Sequence, residues 1–142
     1  KKIVIVGDVP YNDSYANNIK SMANDRVIIT GYINSQEHLT QLYKNCYCYI
    51  HGHEFGGTNP TMVNALELNC NIIALNTKFN KEMLTNKKAI FFEKKINSLR
   101  DSISKFENDI NFFNSQNLKY KLPLAYDWEY ITNQYLKVFY NI

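Results

Sequence analysis

YCYIHGHEFGGTNPTMVNALELNC, residues 47–70, reads as a buried strand, a glycine loop, and a helix whose first turn is suited to an anion. Residues 46–50 are apolar on both faces, the pattern of a strand in a parallel sheet covered on both sides. The loop at 51–58 holds Gly52, Gly56 and Gly57, where the backbone can take positive φ or approach a ligand closely. Asn59 is a good N-cap, and Pro60 a good first helical residue, because an N–H would go unpaired there anyway. A helix over 60–69 then aims its free N–H groups and positive dipole end at the loop. A negatively charged ligand is expected above this strand.

Working outward, residues 2–6 (KIVIV) predict a first, buried strand ending at Gly7-Asp8, with Val9-Pro10 as a break. Asp13 or Ser14 caps a helix to about residue 24, and residues 26–30 (RVIIT) form a second strand ending at Gly31. Ser35 opens a helix carrying His38, Leu39, Leu42 and Tyr43, which leads into the strand at 46–50. Cys46 and Cys48 are expected to point the same way along it. Residues 71–76 (NIIALN) give a fourth strand, Asn80 caps a short helix to about residue 86, and residues 89–92 (AIFF) give a fifth. Strands alternating with helices at this spacing imply a doubly wound, Rossmann-like parallel α/β sheet of five strands, in the order 2-1-3-4-5. All five glycines, Gly7, Gly31, Gly52, Gly56 and Gly57, fall just beyond the carboxyl ends of the first three strands. That edge is where open α/β sheets bind ligands.

Downstream, Ile96, Leu99, Ile103, Phe106, Ile110 and Phe113 recur at helical spacing, with a break near Asn108-Asp109. Residues 114–123 read as loop. Residues 126–142 read as a last helix with Trp128, Ile131, Tyr135, Phe139 and Ile142 on one stripe. Its further aromatics, among them Tyr130 and Tyr140, exceed what one buried stripe needs, so this helix offers a homodimer surface.

At 142 residues, with 45% hydrophobic and 20% charged side chains, the chain has the length and composition of one globular domain. A net charge of +3 without a basic block disfavours nucleic acid as a partner. Three cysteines in apolar runs, with neither C-x-x-C nor zinc spacing, read as reduced and cytoplasmic. No apolar run approaches the ~20 residues of a membrane span. His51, His53 and Glu54 mimic a metal cluster but lack a further ligand nearby in sequence, so no metal is expected. Gly7-Asp8 lacks the rest of a dinucleotide fingerprint, and no nucleophile elbow is present, which disfavours NAD and hydrolase readings.

HGHEFGGTNPTMVNAL, followed by NCNIIALNTKFNKEML, resembles the donor-binding C-terminal half of bacterial GT-B glycosyltransferases of the retaining, E-x7-E, group 1 type. The pattern looks most like capsule and lipopolysaccharide rhamnosyl- or galactosyltransferases with a GGTNP motif. KKIVIVGDVPY, VIITGYI and YDWEYITNQYLKVF match too, so the resemblance covers nearly the whole chain. It implies a nucleotide-sugar site with Gly56, Gly57, Thr58 and Asn59 at the diphosphate and Gly7, Asp8 and His53 nearby, and with Tyr32 at the base. Glu54 stands near the family's sugar-binding acidic residue, two positions from the first Glu of the motif, and is otherwise a solvated loop residue. Asn64 aligns with the second Glu, which grips the ribose; Asn offers one acceptor in place of a charged bidentate pair. Its plain alternative is a surface Asn in an Asn-rich chain.

By resemblance, the single domain 1–142, with a helical segment at 95–142, transfers a hexose or deoxyhexose onto a surface-polysaccharide or lipopolysaccharide intermediate. The partners implied are a nucleotide-sugar, a saccharide or lipid-linked acceptor, and an N-terminal acceptor domain that the sequence does not contain. No cofactor is implied. The full-length protein is expected in the cytoplasm, peripheral at the inner face of the membrane. In the family a further strand and helix precede the strand matching residues 2–6 and carry an Arg and a Lys for the diphosphate. The chain alone is therefore expected to be inactive. A non-catalytic nucleotide- or sugar-binding module, or an epimerase of GT-B type, is the rival reading.

Overall fold

The computed structural model describes residues 1–9, 11 and 13–140, which divide into two compact units, Lys1–Leu42 and Tyr43–Ile142. In the first unit β1 (Ile3–Val6) and β2 (Val27–Gly31) pair in parallel, with Ile3 opposite Val27 and Ile5 opposite Ile29. Between them runs α1 (Ser14–Ser21), whose N-cap Asp13 accepts the Ala16 N–H at 2.8 Å. Helix α2 (Gln36–Asn45) opens at the end of this unit, with Ser35 Oγ accepting the His38 N–H. The expectation of a buried first strand fails, since Ile3, Val4 and Val6 are each more than 40% exposed. Two strands and an eight-residue helix with no buried residue provide too few layers to cover both faces of β1. The expected break at Pro10 lies outside the described residues.

The second unit is built on β4 (Ile72–Leu75), all four residues of which are buried. β4 pairs in parallel with β3 (Tyr49–His51) on one edge and with β5 (Ile90–Phe92) on the other. Side-chain alternation along a strand sends neighbours to opposite faces. Ile72 and Ala74 accordingly pack with Met62, Ala65 and Leu66 of α3 (Pro60–Glu67) and Met83 of α4 (Lys78–Met83). Ile73 packs with Ile90, Phe106 of α5 (Ser98–Asn108) and Phe113 of α6 (Ile110–Asn117). The result is an α/β structure of parallel strands flanked by helices.

All five predicted strands are present, as a parallel pair and a parallel triplet. The neighbours 2-1 and 3-4-5 occur as expected, whereas no β1–β3 ladder forms among the described residues. Local periodicity marks where strands lie, whereas their lateral order rests on pairing between residues far apart in sequence.

Several boundaries also move. β3 starts at Tyr49, and Cys46 and Cys48 pack into different clusters, not on one face. Thr77 caps α4 by accepting the Asn80 N–H at 3.1 Å, so Asn80 lies inside the helix and is buried. The break at Asp109 is where the sequence places it, but α6 continues to Asn117, and Ile96 precedes α5 with 92% exposure. A one-turn helix at Leu124–Tyr126 leads to α7 (Trp128–Tyr140), which has no buried residue. Its expected stripe is uncovered, with Trp128, Tyr135 and Phe139 all more than 60% exposed, while Ile142 lies outside the described residues.

The two ring positions Phe106 and Phe112 test this core. Phe106 is fully enclosed between Tyr47 and Phe113, so Phe106→Ala should cost about 3–5 kcal/mol in urea unfolding. Phe112→Ala, at a half-exposed ring, should cost less than about 1 kcal/mol.

Candidate functional site

β3 delivers the chain into the loop at 52–59, and α3 receives it. Gly56 takes φ +121°, a conformation that side-chain-bearing residues rarely adopt. Gly52 and Gly57 have no positive φ, and a Cβ added at either would meet nothing within 4 Å. Neither strain nor packing calls for glycine at these two positions, and the space beside their main chain is open. Asn59 Oδ1 accepts the Thr61 N–H at 3.0 Å, the cap that the sequence predicts. With Pro60 lacking an N–H and that of Thr61 taken, the exposed loop amides at 56–58 are the donors an anion would meet. The dipole of α3 adds to them. The far end of α3 closes in a Schellman motif, with Cys70 N–H on Ala65 O at 2.9 Å, Asn69 N–H on Leu66 O at 3.1 Å, and Asn69 left-handed.

Beneath the loop a polar chain runs from the strand to the helix cap. The same Asn59 atom that accepts the Thr61 N–H also bonds Thr61 Oγ1 at 2.7 Å, so the Thr61 hydroxyl donates there. The Tyr49 hydroxyl therefore donates to Thr61 Oγ1 at 2.8 Å. Its oxygen is left to accept from His51 Nδ1–H at 3.1 Å. This order fixes the His51 tautomer and leaves Nε2 as a bare acceptor, buried and without a partner among the described residues. Burial first, and the neighbouring His53 second, push the His51 pKa down to about 4, so the ring is neutral at pH 7.

His53 lies exposed at the loop entrance, its ring stacked on His51 at 5.1 Å and 19°. Stacked rings present faces to each other, so these two histidines do not converge on a common ion. The His53 carbonyl is held by the buried Asn80, whose Nδ2 donates to it at 3.0 Å and to Leu75 O at 2.9 Å. One side chain thus ties the loop to the end of β4. Glu54 accepts from Lys94 Nζ at 2.6 Å, and Asn76 bonds Glu93 beside it. An exposed ion pair of this type is worth at most about 1 kcal/mol, so Glu54 exchanges it readily for other donors. Asn64 sits half-buried one turn into α3, on the helix that leaves the loop.

The remaining predicted residues belong to the first unit. Gly7, at φ +126°, donates its N–H to Gly31 O at 2.9 Å, which brings the carboxyl ends of β1 and β2 together. Asp8 accepts from Lys20 at 2.7 Å and from the Val9 N–H at 2.8 Å, and these bonds hold its carboxyl below the usual range. Tyr32 follows Gly31 and is 76% exposed.

Sequence reading missed Asn80 as a loop anchor and Lys94 as the partner of Glu54. A Thr three residues before Asn80 was a usable sign that Thr77 is the cap. Lys94 follows the carboxyl end of β5, the same edge that the glycines mark.

Among the described residues no helix is long and apolar enough to cross a membrane. None of the curated proteins compared with the chain matches it. The family described as Glycosyl transferases group 1 matches residues 1–119, a span that includes every strand, the glycine loop and the capped helix. With the match running through most of the sequence, the chain belongs to the group 1 glycosyltransferases.

Proposed function

We propose that residues 43–142 hold the nucleotide-sugar donor of a glycosyltransferase that passes a hexose or deoxyhexose to a surface-polysaccharide or lipopolysaccharide intermediate. The observation that carries this reading is the open glycine main chain. Gly52 and Gly57 are required neither by φ nor by packing, beside the capped end of α3. A diphosphate would lie over the amides at 56–58, where fixed donors and the helix dipole stabilise the negative charge that builds as the anomeric bond breaks. Glu54, released from Lys94, would accept from hydroxyls of the sugar, with His53 beside it. Asn64 would meet the ribose. The sugar, the acceptor and anomeric retention are taken from the resemblance of the glycine-loop motif.

Titrating the chain with UDP-, GDP- and dTDP-sugars should shift the backbone amides of residues 56–59 in a saturable manner, and an unmoved loop at millimolar ligand would refute the reading. Asn64→Glu should tighten nucleotide binding about fivefold, on the order of 1 kcal/mol, through a carboxylate that accepts from both ribose hydroxyls. Calorimetry on the two proteins with the same nucleotide reads this directly. An unchanged or weaker affinity would mean that Asn64 does not face the ribose.

A further inference from the structure

The glycine loop follows the carboxyl end of β3. At the opposite, amino edge of the three-stranded sheet two cysteines meet, and the donor site uses neither. Cys46 stands between α2 and β3, and Cys70 between α3 and β4. Both converge on one oxygen: the carbonyl of Tyr43 accepts the Cys46 N–H at 3.4 Å and the Cys70 S–H at 3.3 Å. They pack in the same apolar cluster, and both are free thiols. Cys48 packs in the other cluster.

The two sulfurs are also within hydrogen-bond reach of each other. When Cys46 ionises, the Cys70 proton can turn from the carbonyl to the Cys46 sulfur. That hydrogen bond holds the Cys46 pKa below the usual thiol value. The same bond, together with burial, pushes the Cys70 thiol up. The thiolate, not the thiol, is the nucleophile toward oxidants. Cys46 is half-buried whereas Cys70 is 6% exposed, so Cys46 is the one that a small oxidant meets. Packing alone requires neither a shared oxygen nor a second thiol. An ionisable, reachable thiol beside a resolving one is the arrangement that redox-responsive cysteines need.

We propose that Cys46 and Cys70 are an oxidation-responsive dithiol, which hydrogen peroxide closes to an intramolecular disulfide that staples residues 46–70. The Cys46 thiolate attacks one peroxide oxygen and the O–O bond breaks. The departing hydroxide takes up the proton that Cys46 released and becomes water, leaving Cys46 as a sulfenic acid. The Cys70 sulfur then attacks the Cys46 sulfur, so that S–S forms and S–O breaks. The Cys70 proton leaves with the hydroxyl as a second water. Each sulfur loses one electron, and the peroxide gains two. Both cysteines stand in turns, outside helix and strand, so bringing the sulfurs to the disulfide length of about 2 Å breaks no ladder. The closed ring contains β3, the glycine loop and α3. Nothing in this assignment depends on what the loop binds.

The test is treatment of the full 142-residue chain with hydrogen peroxide, followed by alkylation and peptide mapping by mass spectrometry. The expected product is a Cys46–Cys70 linked peptide with Cys48 alkylated, so that free thiols fall from three to one and return with dithiothreitol. The oxidised chain should melt about 5–10 °C higher, because the ring constrains the unfolded state. Plotted against pH, the rate of thiol loss should reach half its maximum below the ordinary thiol pKa. Cys70→Ala should stop the reaction at a Cys46 sulfenic acid, which dimedone labels, and should move that midpoint upward. Thiols that only pack predict no linked peptide in the folded chain, and that result overturns the proposal. A link to Cys48 or to a second chain overturns it too, as does a linked chain that melts no higher. These outcomes are read on the unaltered chain, so they decide the matter even if Cys70→Ala does not fold.

Discussion

Burial of β4 on both faces is the constraint on which the second unit depends. Ile72 to Leu75 leave no polar side chain to solvate, so a helical layer must cover each side of the strand. α3 and α4 cover one face, and α5 and α6 the other. Once Met62, Ala65 and Leu66 are fixed against Ile72 and Ala74, the position of α3 is set, and with it the place where its N-terminus meets the glycine loop. The loop is therefore positioned by packing that lies wholly beneath it.

Packing alone would leave eight loop residues free to move, and two buried polar devices restrain them. Asn80 holds the His53 carbonyl and the Leu75 carbonyl with one amide. The chain from His51 through Tyr49 and Thr61 to Asn59 joins the strand to the helix cap with every proton assigned. Such networks rigidify a site when satisfied and are costly when broken, because an unpaired buried group retains its full desolvation penalty. The bare Nε2 of His51 is the exception in this hydrogen-bond network, and the neutral state that burial imposes on the ring limits its cost. A protonated His51 would need an acceptor at a position where the structure supplies none among the described residues.

The charge pattern at the two edges of the sheet differs in kind. At the carboxyl edge the groups that suit an anion are neutral amides and a dipole, and Lys94 is engaged by Glu54. At the amino edge Lys87 is buried, and desolvation pushes its pKa down to about 8. A site of neutral dipoles stabilises charge that appears during a reaction without having to reorganise.

Short-range chemistry written in consecutive residues was legible from sequence. Asn59-Pro60 opens α3 because an amide oxygen and a missing N–H act within one turn, and Asp13 caps α1 for the same reason. The apolar run of β4 and the break at Asp109 are equally local, and the GGTNP motif pointed to the family that the match over residues 1–119 shows. The contacts of Asn80 with His53, 27 residues away, and of Lys94 with Glu54, 40 residues away, were set by which strand lies beside which. Apart from the place of Lys94 just after β5, no local signal separates those residues from the many other Asn and Lys of the chain. The burial of β1 and of α7 was misread for a related reason: periodicity shows that a face is apolar, whereas covering it requires another layer, which only the tertiary structure supplies or withholds.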